Sequence, residues 1–286
     1  MLTTSRPPAF WLFPAGLVIA MGLSLLPGQW PLYAVLAFST ALLGLPHGSL
    51  DTAVAKRYLP LDNGPRLVIF FATYLTLAGL VIAFWWQFPN IALAIFLIYS
   101  AVHFGDDIAP RINKLGASGY GLGIIALPVT FHPEPVLAIF KALGSDQSQA
   151  LVVAAPWALG ISAVMLAIGL YQSPDRALSD WRDPLLLSAA AIILHPLAYF
   201  IAYWCFLHSP RHLELAARDL GLESWAEKLR ALAPTTLATY GLVIVAVPFL
   251  LGLPADAILL RVIFIGLAAL TVPHMLLELI AAPQRH

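Results

Sequence analysis

His208 and His212 carry the chemistry from which this chain can be read. They lie in the stretch Tyr203-Trp204-Cys205-Phe206-Leu207-His208-Ser209-Pro210-Arg211-His212-Leu213, inside an apolar segment long enough to enter a bilayer. Four residues apart on a helix, two imidazoles stack on one face, one turn apart. Neutral imidazoles in that arrangement can hold one metal ion from one side. Polar side chains are costly in hydrocarbon, and those found there are functional by default. Three further histidines, His47, His103 and His274, sit in similar apolar surroundings, each with acids close behind. Asp51 follows His47 by four residues, Asp106 and Asp107 follow His103 by three and four, and Glu278 follows His274 by four. An acid at that spacing can accept a proton bond from the imidazole's second nitrogen and fix its tautomer. Asp51 is read in that role behind His47. Asp106, Asp107 and Glu278 are read as markers of the cytoplasmic interface, or as partners of Lys56, Arg57 or Arg211.

The elements that must position these residues follow from composition. The chain has 286 residues, 60% hydrophobic and 10% charged, against roughly half apolar and a quarter charged in a soluble domain. Its net charge is zero, so no basic face argues for nucleic acid. The single cysteine, Cys205, excludes an internal disulfide and any Cys-rich metal site. The fold class expected is all-α: a polytopic transmembrane helical bundle of about eight to ten membrane segments, forming one integral-membrane domain over residues 1–286. Ten apolar segments are read, at 9–27, 31–55, 66–87, 90–109, 117–140, 150–171, 184–195, 197–218, 235–252 and 257–281, with 219–234 in the interface. The first is taken as a retained helix, because no small-residue cleavage site follows it. Pro110 stops the fourth, and Pro128, Pro133 and Pro135 break the fifth.

Lys56, Arg57, Arg66, Arg111, Lys114, Arg176, Arg182, Arg218, Lys228, Arg230 and Arg285 all follow even-numbered segments. Cytoplasmic loops are enriched in Lys and Arg, so both termini are expected in the cytoplasm. Residues 184–218 must then cross twice, turning at Pro196. His47, His103, His208, His212 and His274 fall on segments of one direction, roughly 10–15 Å from the cytoplasmic boundary at the helical rise per residue. His132 and His195 fall near the opposite face. Five imidazoles at one depth predict a shared metal. Without thiolates the site suits iron, zinc or copper. Phe104, Tyr199, Tyr203 and Phe206 are read as walls of a channel for a flat apolar substrate, and Gly44, Pro46 and Gly48 as a local break around His47.

Four motifs resemble a known family. They are Gly44-Leu45-Pro46-His47-Gly48-Ser49-Leu50-Asp51, Val102-His103-Phe104-Gly105, His208-Ser209-Pro210-Arg211-His212, and Phe264 to Met275 with Pro273-His274. In order and together they resemble the Brp/Blh family of bacterial and archaeal membrane β-carotene dioxygenases. The resemblance implies O₂-dependent cleavage of β-carotene at its central 15,15′ double bond to two retinal molecules, made in the cell (inner) membrane for a rhodopsin. It implies Fe²⁺ held by His47, His103, His208 and His212 as the catalytic centre. It leaves His274 as a further ligand, a group behind the ligands or a channel residue. Two rivals stay open: a non-cleaving carotenoid-binding membrane protein and a membrane metal transporter. A rhodopsin needs a Schiff-base lysine in its last helix, and residues 257–281 contain none. Di-iron hydroxylases need several HxxxH clusters, and only one is present.

Overall fold

The computed structural model describes the backbone of residues 9–109, 111–173 and 181–281, and their side chains apart from residues 9–11 and His47. Pro110, Arg176 and Arg285, used above as markers, lie outside the described residues. The fold is all-helical, and no strand occurs among the described residues. In chain order the helices are α1 (Ala9–Ser24), α2 (Trp30–Tyr58), α3 (Gly64–Gln87), α4 (Pro89–Gly105), α5 (Lys114–Phe131) and α6 (Pro133–Ala142). There follow α7 (Gln149–Tyr171), α8 (Arg182–Ile193), a run α9 over residues 196–219, α10 (Trp225–Leu250) and α11 (Ala255–Ala281).

Local chemistry starts these helices. Asn63 accepts a bond from the Arg66 amide at 3.0 Å and caps α3, and Asn113 accepts from Gly116 at 2.9 Å and caps α5. Pro65, Pro89, Pro133 and Pro196 occupy first-turn positions, where a missing N–H costs nothing. A capping box between Ser224 and Glu227 opens α10. That helix runs through Pro234 to Leu250 as one element. The helix of the ninth apolar segment therefore begins at Trp225, ten residues before position 235, because the cap at Ser224 starts it.

Among the described residues, five helices are long and apolar enough to cross a membrane: α2, α3, α7, α10 and α11. Their outward faces carry exposed apolar side chains such as Val68, Ile69, Trp157, Ile161, Ile244 and Leu279, as lipid contact requires. This is a membrane protein. The apolar segment 117–140 is not straight: α5 and α6 meet at 105° on either side of His132, and count as a sixth span if they form one broken crossing. By length and composition alone, five or six spans qualify among the described residues. Helix α4, with 17 residues, and α8, with 12, fall short on length. The run 196–219 falls short because its second half is charged. Between α8 and α9 the chain leaves the helix at Leu194 and His195, whose ψ angles are 150° and 139°, and restarts at Pro196.

Two helices depart from α geometry at the positions of interest. In α2, residues Thr40–Gly44 form a π turn followed by the 3₁₀ segment Leu45–Leu50, which holds His47. In α9, residues Ile201–His208 form a π segment whose eight residues are all buried. Such wide turns concentrate at functional sites because they re-aim side chains. The two pack on each other, and a Cβ built on Gly44 would lie 1.9 Å from the Trp204 ring. Only glycine admits that approach. Gly48 has open space around it, so the break around His47 depends on Gly44 and Pro46. On the other side of the centre, a Cβ on Gly121 would lie 1.9 Å from the Ala101 carbonyl. Small residues of this kind let α4 and α5 approach closely, which fixes the end of α4 that carries His103.

Candidate metal centre

Helix α4 ends at Gly105, and the turn after it separates two neighbouring acids. The Asp106 side chain is 62% exposed, whereas that of Asp107 is 1% exposed. Asp107 therefore does not mark an interface. Leaving the helix at Gly105 rotates its carboxylate inward, where it must find partners. It has three. His208 Nδ1 lies 3.0 Å from Oδ1, the Tyr203 hydroxyl donates to Oδ2 at 2.8 Å, and His212 Nε2 lies 3.8 Å from Oδ1. Arg211 is not available to the acids behind His103, because it pairs with buried Asp183, which Arg182 also contacts at 2.8 Å. That ion pair ties α9 to α8 beside the histidines, and no spacing in the sequence signals it.

A second assembly of the same type comes from other helices. His274 on α11 has its Nδ1 2.7 Å from Asp51 Oδ1, and the Tyr74 hydroxyl of α3 donates to Asp51 Oδ2 at 2.8 Å. Asp51 thus serves His274, which is 223 positions away, rather than acting only as the neighbour of His47. The side chain of His47 lies outside the described residues. Its 3₁₀ segment packs against α10, α11 and the part of α9 that carries His212.

The imidazoles converge. His208 and His212, a turn apart, have ring centroids 4.5 Å apart, and His103 lies 4.9 Å from His208, 5.0 Å from His212 and 5.7 Å from His274. His103, His212 and His274 form one group whose donor atoms all lie within 4.8 Å of one another, and Asp107, His208 and His212 form another. His103 Nε2 and His208 Nε2 face each other at 3.2 Å. Asp107 at Nδ1 favours the tautomer with the His208 proton there, which makes the inward Nε2 the nitrogen able to bind a metal. Two imidazole nitrogens that share one ion, each about 2.0–2.1 Å from it, stand roughly 3.0–3.4 Å apart. The donor set fits a divalent transition metal.

His132 and His195 stand apart from this cluster. His195 Nδ1 accepts from the Leu197 amide at 3.3 Å and caps α9, while His132 sits at the α5–α6 bend. Ser49 donates to the Leu45 carbonyl at 3.3 Å and accepts from Thr236 at 2.8 Å, a structural arrangement.

Beside the histidines lies an apolar cavity with about 700 Å³ of empty space, its open mouth included. Phe104 and Tyr203 line it and also flank His208, at centroid distances of 5.0 and 5.8 Å. Tyr199 lines it too, stacked on Tyr203, with its hydroxyl turned to the Ile124 carbonyl at 3.1 Å. The cavity extends past Phe96, Pro128, Val136 and Pro196. Phe206 is not part of its lining. It packs against α1, where a Cβ on Gly16 would lie 2.5 Å from it.

The family model for β-carotene 15,15′-dioxygenase matches residues 38–280. The chain belongs to the β-carotene 15,15′-dioxygenase family. A β-carotene 15,15′-dioxygenase from an uncultured marine bacterium, 66A03, is 31% identical over 272 residues, covering 90% of this chain and 94% of that protein. No solved structure matches the chain. The β-carotene 15,15′-dioxygenase match spans every member of the cluster, from His47 and Asp51 to His274. It also takes in both tyrosine–carboxylate–imidazole assemblies and the aromatic cavity.

Proposed function

We propose that this chain is an iron-dependent β-carotene 15,15′-dioxygenase that cleaves the central double bond with one O₂ to give two retinal molecules. The observation that carries the reading is the buried histidine cluster, with inward Nε2 atoms, opening beside an aromatic-lined apolar cavity. His47, His103, His208 and His212 would hold the ion. A ferrous ion bound there supplies the one-electron chemistry that lets triplet O₂ react with a closed-shell polyene.

The protein's own contribution is positional. Asp107 keeps a proton on His208 Nδ1 and Asp51 keeps one on His274 Nδ1, which fixes both rings. Phe104, Tyr199 and Tyr203 offer flat apolar surface along which one arm of a polyene can lie, and they keep water from the histidines. No side-chain nucleophile is needed. The substrate enters sideways from lipid, and retinal leaves the same way towards a rhodopsin in the same membrane. Chromatography of products tests the reading. Retinal alone is expected from β-carotene under air and none under nitrogen. Unequal apocarotenals would refute central cleavage. Intact carotene with iron-loaded protein would instead favour a non-cleaving binder or a transporter.

We read one catalytic domain in the inner membrane, and the Lys and Arg distribution supports cytoplasmic termini. In that reading the shorter helices complete about eight to ten crossings. Gly221, with φ +70°, marks the turn between α9 and α10. A reporter domain inserted at Gly221 is expected to read cytoplasmic, and a periplasmic signal would reverse the orientation.

A further inference from the structure

We propose that His274 is itself a ligand of the metal, held as a fixed arm by Asp51 and Tyr74. The inference rests on the metal-centre reading above and deepens it. The His274 side chain is 6% exposed and that of Asp51 5%. Both Asp51 oxygens are committed, one to His274 Nδ1 at 2.7 Å and the other to the Tyr74 hydroxyl at 2.8 Å. A carboxylate oxygen facing Nδ1 favours the tautomer with its proton there, which makes Nε2 the nitrogen able to bind a metal. That Nε2 is fully buried, and it belongs to the group with His103 and His212 in which all donor atoms lie within 4.8 Å. The same construction, tyrosine to carboxylate to imidazole, presents His208 through Tyr203 and Asp107. Two sets of elements that share no helix thus deliver the same device to one point. An imidazole that served only to join α11 to α2 would need the Asp51 bond, but would not need its other nitrogen among metal donors. A fifth imidazole also reduces the coordination positions left for reactants.

Full-length purified protein titrated with Co²⁺ tests this, read by metal content, the visible ligand-field band of the ion and the thermal midpoint with and without metal. Wild type is expected to bind one ion per chain. His274→Ala is expected to bind at least about 10-fold more weakly, with a shifted band that free imidazole restores. Its apo midpoint falls modestly, and its metal-induced rise in midpoint shrinks. Asp51→Asn is expected to weaken binding about 10-fold with little change in the band. Unchanged affinity and spectrum in His274→Ala would overturn the inference while leaving the other four histidines in place. Failure of wild type to bind Co²⁺ would overturn the metal-centre reading itself, and this inference with it. If His274→Ala does not fold, His274→Asn decides by the same spectrum.

Discussion

A His208→Ala chain is expected to enter the membrane and keep its helices, yet lose its iron and its retinal production. His208 is fully buried, its Nε2 faces that of His103 at 3.2 Å, and its Nδ1 holds Asp107 at 3.0 Å. Loss of a partner behind a ligand typically costs ~10–100-fold in metal affinity or activity, and loss of a ligand should exceed that. The substitution also strands a buried carboxylate, a change that typically costs about 3–5 kcal/mol. The Tyr203 hydroxyl and His212 remain to offset part of that cost. His208→Gln, which can still donate to Asp107, separates the two effects. It should recover most of the stability and little of the metal. Iron content and retinal yield check the result, and a His208→Ala chain with normal iron and normal turnover would refute the centre described here.

The second large effect is expected at Asp107. Asp107→Asn removes a buried negative charge and offers only one acceptor oxygen to His208, Tyr203 and His212. Metal affinity should fall roughly 10–100-fold, measured by competition with a chelator. Asp106→Asn, whose side chain is 62% exposed and lies 3.8 Å from His103 Nδ1, should change affinity less than Asp107→Asn, since water screens an exposed carboxylate. Equal effects at the two positions would show that bulk charge near the centre, rather than the bond to His208, sets affinity.

How much of this the sequence makes legible depends on which interactions are local. Helical spacing alone puts His208 and His212 on one face, and they stand with ring centroids 4.5 Å apart. Reading depth along the apolar segments groups His103 and His274 with them, and the structure places the His103 ring 5.0 Å from His212 and 5.7 Å from His274. What the spacing rule misses is tertiary. It pairs Asp51 with its neighbour His47, whose side chain lies outside the described residues, and gives no sign of the bond to His274, which forms because α11 packs against α2. It treats Asp106 and Asp107 alike, whereas the end of α4 at Gly105 sends one outward and the other inward. Phe206 sits among residues read as channel walls, yet it lies against Gly16 of α1, because a π segment changes the angle between successive side chains. Hydropathy counts apolar stretches but not their bends, so one segment becomes two helices meeting at 105°.

The bond between Asp51 and His274 also dictates an order of events during synthesis. The two residues are 223 positions apart, so the carboxylate is made well before its imidazole partner. Until α11 leaves the ribosome and inserts, Asp51 lacks His274 and keeps the Tyr74 hydroxyl, an arrangement that lipid surroundings penalise. A chain stopped anywhere before residue 274 lacks the final arm, however well its earlier helices have inserted. Assembly of this centre accordingly waits on α11, whose insertion supplies the imidazole that Asp51 holds.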